Sequence, residues 1–285
     1  MEKDVMRRML GAVAILATLI AVLALVVRLA QPRLAFFPFA GEDVTPADFG
    51  VPFTAHTIET DDGERLRAWH LPVHTPQAQV IYFHGNGGNL SLWCDVLVGL
   101  RQRGLEVVAV DYRGYGLSTG APSEQGLYRD AEATTAYVAA RLRRAEVPLV
   151  YWGRSLGAAV AAHAAARQPP NGIVLEAGFP DVRSVVANNL LMRALALFAT
   201  YRFATAESMA SVRAPALVIH GDRDRVIPYR LGQQLYAALP GPKRFVTVPG
   251  GDHNDPVPAD ASLYWNAVQE FIAALRLQPF GTSST

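Results

Sequence analysis

Between Met9 and Val27 the chain carries 19 consecutive residues without a charge, all of them apolar except Gly11 and Thr18. Wound as a helix, the run is ~28 Å long, close to the hydrocarbon thickness of a bilayer. Lys3, Arg7 and Arg8 precede it, and Arg28 and Arg33 follow. The pattern predicts an uncleaved, single-pass membrane anchor over residues 1–33, with a globular domain over 34–285. A cleaved signal peptide is the competing expectation. Its apolar core is usually shorter, and the best-placed cleavage site here, after Ala30, has Arg28 at the −3 position. Flanking charge puts the N-terminus in the cytoplasm and the rest outside it, on the periplasmic side in a bacterium. The margin is narrow because Glu2, Asp4 and Arg28 blur it. Phe36, Phe37 and Phe39 follow at once, either as an interfacial patch or as packing for the globular part.

Past the anchor the period changes. Phe53 to Thr60 alternates loosely, Asp61-Asp62-Gly63 signals a hairpin, and Arg65 to Leu71 reads as the returning strand. Short continuous apolar runs then alternate with longer mixed ones. Gln79–Phe83, Glu106–Asp111, Pro148–Trp152, Gly172–Glu176, Ala216–His220 and Arg244–Val248 read as strands. Leu90–Arg103, Asp130–Arg144, Tyr229–Leu239 and Pro258–Leu277 read as helices. Strands that are apolar on both sides, separated by helices, predict a mostly parallel sheet covered on both faces. Only residues 179–212 break the rhythm. There a helical stretch from Val185 to Tyr201, rich in Leu, Ala and Phe, is predicted over the carboxyl end of the sheet. It is either a small lid carrying an apolar pocket or a helix of the main layer.

Composition narrows the classes. The net charge is +1, and the 24 arginines and 2 lysines are scattered, so nothing points to nucleic acid. The single Cys94 excludes an intramolecular disulfide framework and a cysteine metal cluster. It is expected as a buried small side chain in the helix near Leu90.

The chemistry gathers around Gly153-Arg154-Ser155-Leu156-Gly157, between a predicted strand and the alanine-rich run Ala158–Ala166. A sharp strand-to-helix turn holds a serine hydroxyl clear of the backbone and requires small neighbours. The new helix points free N–H groups and its positive end at charge developing beside Ser155. The same spacing recurs at Gly116-Leu117-Ser118-Thr119-Gly120, but there it follows a turn and leads into Ala121-Pro122. Ser155 is therefore the expected nucleophile and Ser118 an ordinary loop serine.

A serine nucleophile needs a base, an acid that orients the base, and an oxyanion site. Of seven histidines, His253 lies in a glycine-rich turn, Pro249 to Asp255, after the last strand and downstream of the serine. His56, His70 and His74 lie in or near the opening hairpin, His163 sits two turns into the helix after Ser155, and His84 and His220 precede glycines at strand ends. The acid is expected just after the preceding strand, where Asp222 and Asp224 both stand. Spacing does not choose between them, and it does not fit a calcium loop, so no metal is expected. One oxyanion donor is expected from the N–H of Leu156. The other comes from His84-Gly85-Asn86-Gly87-Gly88-Asn89, with Asn86 preferred and Gly87 second.

Taken together these words resemble the serine α/β-hydrolase superfamily and, more narrowly, its membrane-anchored Bem46-like group. The matching stretches are Thr60–Gly63, Phe83–Asn89, Asp111–Gly116 with Ser118, Gly153–Gly157, His220–Asp224 running on to Pro228, and Gly251–Asn254. The resemblance implies an α/β-hydrolase fold and places the acid on Asp224. It also implies cofactor-free hydrolysis of a small-molecule or lipid acyl ester or thioester. Two rival expectations use the same residues: an acyltransferase or haloperoxidase, and a non-catalytic, membrane-tethered binding protein.

Overall fold

The computed structural model describes residues 2–187, 190–255 and 261–277. Helix α1 (Glu2–Ala35) is 34 residues long, contains Pro32, and presents its apolar side chains to the outside. Its most apolar 18-residue window has a mean hydropathy of 2.9 and no buried residue, so it is long and apolar enough to cross a membrane. The helix ends two residues beyond the boundary read from the sequence. Strand β1 (Phe37–Pro38) and a single turn at Pro46–Phe49 lead into the hairpin β2 (Thr54–Glu59) and β3 (Arg65–Leu71). Gly63, at φ +88°, supplies the left-handed conformation that its turn requires.

The alternating region follows: β4 (Ala78–Phe83), the short β5 (Gly87–Gly88), α2 (Cys94–Gln102), β6 (Leu105–Val110), α3 (Glu124–Arg141), β7 (Leu149–Arg154), α4 (Leu156–Arg167) and β8 (Gly172–Glu176). Beyond it lie α5 (Val182–Val186), α6 (Leu190–Ala196), α7 (Thr205–Met209), β9 (Ala216–Gly221), α8 (Tyr229–Ala238), β10 (Lys243–Val248) and α9 (Ser262–Arg276). Among the described residues eight strands form one sheet in the order β10-β9-β8-β7-β4-β6-β3-β2, with β3 alone running against the others. β1 pairs in parallel with β5, bringing the chain that leaves α1 against the glycine-rich loop.

The continuous apolar runs are explained by burial on both faces. Ile81 and Phe83 of β4 pack with the alanines of α4 on one side, while Val80 and Tyr82 pack with Leu97 of α2 and Phe271 of α9 on the other. Alanine dominates α4 because that helix lies on the sheet with nine of its twelve residues buried, leaving no room for larger side chains.

Several boundaries differ from expectation for identifiable reasons. α3 begins at Glu124, six residues early, because Ser123 Oγ caps it by accepting the Gly126 N–H at 3.1 Å. α2 begins at Cys94, not Leu90, since Asn89 Oδ1 and backbone carbonyls hold residues 90–93 in a turn. The stretch expected as one helix over Val185–Tyr201 contains the end of α5 and all of α6, and residues 197–201 are not helical. The predicted start of the last helix at Pro258 lies outside the described residues. Cys94 is buried.

Candidate active site

Ser155 stands between β7 and α4 with φ +56° and ψ −117°, a strained conformation for a residue with a side chain. Its N–H donates to the carbonyl of Glu176 on β8 at 2.8 Å, which helps hold the turn. A methyl group at Gly153 would fall on the Gly157 carbonyl, and one at Gly157 on the carbonyls of Phe83 and His84. Both glycines are therefore required by close backbone approach. Ser155 is the N-cap of α4, so the Leu156 N–H, first in the helix, has no partner within it.

His253, from the loop after β10, places Nε2 3.0 Å from Ser155 Oγ. Its Nδ1 lies 2.7 Å from Asp224 Oδ2, in the loop after β9. A carboxylate accepts only, so Nδ1 carries the proton and Nε2 is left to accept from the serine hydroxyl. Asp224 Oδ1 accepts the N–H groups of Val226 at 2.9 Å and Ile227 at 2.7 Å. Burial alone raises the Asp224 pKa, but bonds from His220, His253 and the Ile227 N–H outweigh it, holding the carboxyl well below the usual carboxylate range. Asp222 does something else: its Oδ1 accepts the Gly250 N–H at 2.7 Å and braces the turn.

The other histidines are engaged elsewhere. His56 meets Tyr137, His70 meets Glu106, His74 meets Thr75, and His163 meets Glu132. His84 is buried beneath the glycine-rich loop, against Asp111 and Tyr112. His220 sits beneath Asp224, with Nε2 2.9 Å from the Ile227 carbonyl and 3.4 Å from Asp224 Oδ2.

Three supporting residues escaped the sequence reading. Arg154 is buried at the end of β7, pairs with Glu176 at 3.2 Å and donates to the His253 carbonyl at 2.8 Å. Glu176 is itself held by Trp152 Nε1 and Tyr264 Oη, each at 3.0 Å. Asp252 accepts the N–H of His253 and pairs with Arg225 next to Asp224, tying the two loops together. The available signal was a lone charge, Arg154, ending an apolar strand, since a buried charge requires a partner.

Asn86, Gly87 and Leu156 line one cleft with Ser155, 420 Å³ in volume, whose other walls are mostly apolar. The Asn86 side chain is used structurally: Nδ2 donates to the Ala35 carbonyl at 2.6 Å, and Oδ1 accepts from Tyr115 Oη at 3.0 Å. Phe179, Val182, Val185, Tyr201 and Phe203, from the region that breaks the strand–helix rhythm, line the same cleft. Of the three early phenylalanines, Phe36 is buried against Tyr201 and Phe203, while Phe37 and Phe39 are exposed.

This sheet order, with a serine at the turn after β7, defines an α/β-hydrolase. Residues 74–205 match the family described as serine aminopeptidase, S33. The chain is 37% identical over 273 residues to the protein Rv2307c of Mycobacterium tuberculosis, covering 93% of this chain and 95% of the relative. It is 29% identical over 235 residues to a Saccharomyces cerevisiae protein named as an uncharacterized membrane protein, covering 80% and 82%. The esterase Pf2001 of Pyrococcus furiosus shares the fold at a TM-score of 0.68 and 18% identity, over 85% of this chain and 97% of that one. The chain belongs to the α/β-hydrolase superfamily and is an enzyme of the hydrolase type.

Proposed function

We propose that this chain is a serine hydrolase of carboxylic esters or thioesters, with α1 as a single-pass anchor and the catalytic domain on the extracytoplasmic side. The observation that supports it is the approach of Ser155, His253 and Asp224, from three separate loops, to within 3.0 Å and 2.7 Å of one another.

In this reading Ser155 Oγ attacks the acyl carbonyl carbon while His253 Nε2 takes its proton. The N–H groups of Leu156 and Asn86, with Gly87 as the alternative donor, hold the oxyanion; such a donor is worth ~10²–10³ in rate. His253 then passes its proton to the alcohol or thiol as the C–O or C–S bond breaks. Water attacks the acyl-Ser155 ester, His253 accepts a proton from it and returns one to Oγ, and the carboxylic acid leaves. Asp224 stays ionised, fixes the imidazole tautomer and stabilises the imidazolium. The segment 179–212 acts as a lid that carries the acyl pocket.

A fluorophosphonate probe tests the reading on the purified full chain in detergent. Wild type is expected to label and Ser155→Ala not. Folded wild type that stays unlabelled, or an alanine variant that labels equally, overturns it. A panel of esters and thioesters of graded chain length then separates the two bond types.

A further inference from the structure

The last turn of α1 is built into the cleft that holds Ser155. Leu34 and Ala35, with Phe37 just beyond the helix, line that cleft together with the serine. The attachment is made at two places. At one, the Ala35 carbonyl accepts from Asn86 of the glycine-rich loop, and β1 pairs with Gly87 and Gly88. At the other, Gln31 exchanges two hydrogen bonds with Thr200, Nε2 to Oγ1 at 2.6 Å and Oε1 from the Thr200 N–H at 2.9 Å. Phe36 is buried against Tyr201 in the same region, with ring centroids 5.5 Å apart. A helix that served only to tether would need none of these contacts.

No helix break separates the two ends of α1. Its uncharged run therefore fixes where the cleft sits. From Val27 to Ala35 the helix rises ~12 Å. The polar region of one leaflet is ~5–8 Å thick. The cleft wall thus stands just above the headgroups, at a height set by a helix that continues unbroken through Pro32. Leu29 and Leu34 bridge the interval and are exposed, and on the lid Leu190 and Leu197 are 80% and 77% exposed. Exposed apolar side chains favour contact with a bilayer over water.

We infer that the substrate is a long-chain acyl ester dissolved in the membrane that holds α1, drawn to Ser155 along the exit turn of that helix. The inference rests on the hydrolase reading above. It assigns α1 two tasks: setting the cleft at the bilayer surface and walling the acyl pocket. A lipid ester carries its carbonyl near the hydrocarbon boundary, so only its ester end must rise to the serine while the rest of its chain follows the apolar path.

The full chain, reconstituted in phosphatidylcholine vesicles, tests this with two substrates: a fluorogenic long-chain acyl ester in the bilayer and a water-soluble butyrate ester. Turnover of the bilayer ester is expected to follow its mole fraction in the membrane at fixed bulk concentration. A ten-residue Gly/Ser spacer between Arg28 and Leu29 leaves the docked turn intact but frees the height of the cleft. It is expected to leave fluorophosphonate labelling and butyrate turnover unchanged and to slow the bilayer ester at least ten-fold. A rate set by bulk concentration, or a spacer without effect on the bilayer ester, overturns the inference while leaving the hydrolase reading in place. Absence of labelling and of butyrate turnover in the unmodified chain removes both.

Discussion

Two stretches of this chain share the spacing Gly-x-Ser-x-Gly and put its serine to different uses. At Gly116–Gly120 the serine is fully used by the fold. Ser118 Oγ donates to the Asp111 carbonyl at 2.7 Å and accepts the Arg67 N–H at 2.8 Å, fastening β3 to the loop after β6. Its glycines sit at φ +56° and +84°, and a methyl at either would strike a carboxylate, that of Asp111 or Glu64. At Gly153–Gly157 the strain sits on the serine and the glycines admit neighbouring backbone. Ser155 Oγ faces the imidazole of His253. The pattern thus specifies tight packing in both places. A hydroxyl becomes available for chemistry only where the turn lifts it away from backbone partners.

The widest separation between the two is expected from matched alanine variants. Ser155→Ala is expected to lower kcat/KM on any accepted ester by about 10⁴ or more, with the fold retained. Ser118→Ala is expected to leave kcat/KM within about two-fold and to cost ~1–3 kcal/mol, because it strands a buried carbonyl and N–H. Steady-state kinetics and thermal unfolding on both proteins decide it. Equal kinetic losses would erase the distinction.

A second matched pair lies in Asp222 and Asp224, two residues apart on one loop. Asp224→Asn is expected to cost ~10⁴ in kcat, since an amide can present N–H to Nδ1 and reverse the imidazole tautomer. Asp222→Asn retains an oxygen for the Gly250 N–H and is expected to change kcat by less than about five-fold. The pair also separates in pH dependence. The folded Asp224 carboxyl is held below its ordinary value, so its contribution to stability is present above that value and is lost as pH falls through the folded one. The stability gap between wild type and Asp224→Asn is therefore expected to be present above about pH 5 and to close in stronger acid. Denaturant titrations at several pH values measure it. A gap that does not close in strong acid contradicts the assignment.

Arg154 tests how far the serine turn depends on its surroundings. It bridges Glu176 on β8 and the carbonyl of His253, so the loop that carries the imidazole hangs partly on it. Arg154→Ala is expected to lower kcat about ten- to a hundred-fold with little change in KM, because the cost falls on aligning His253. Arg154→Lys keeps the charge but loses the fork that reaches both partners, and is expected to fall between. A large rise in KM with unchanged kcat would place Arg154 in substrate binding.

The sheet was legible because its strands are short and bounded by turn residues, and the apolar runs of β4, β6, β7, β8 and β9 correspond to burial on both faces. Ser155, His253 and Asp224 were legible as positions in loops after strands; that they approach one another is a property of strand order, which no local pattern carries. Asp224 was separable from Asp222 only through family resemblance, because both lie within reach of the same turn. Arg154, Glu176 and Asp252 went unread since their roles depend on partners up to 99 residues apart in the chain. The docking of α1 was unreadable for a different reason. An apolar run announces a membrane span, whereas Gln31 and Asn86 announce nothing until their partners Thr200 and Ala35 are placed beside them.

The smallest expected effect extends the comparison to the chain's strongest intrinsic nucleophile. Cys94 sits in the first turn of α2 with its side chain against the sheet, and burial pushes its thiol up to about 12. A thiolate reacts far faster than a hydroxyl when both are free, yet here the thiol is neutral and covered while the serine is presented to a base. Iodoacetamide at pH 8 is therefore expected to leave the native protein unmodified, and Cys94→Ala to keep kcat/KM unchanged. Full alkylation is expected only after unfolding, as read by intact mass. Alkylation of the native chain at the rate of an exposed thiol would show that α2 opens readily. Because only the turn at residues 90–93 separates α2 from the loop of Asn86 and Gly87, opening on that scale would mean the proposed oxyanion donors are not held in advance of substrate. The contrast between a presented and a covered nucleophile would then rest on mobility, not on where the fold puts each side chain.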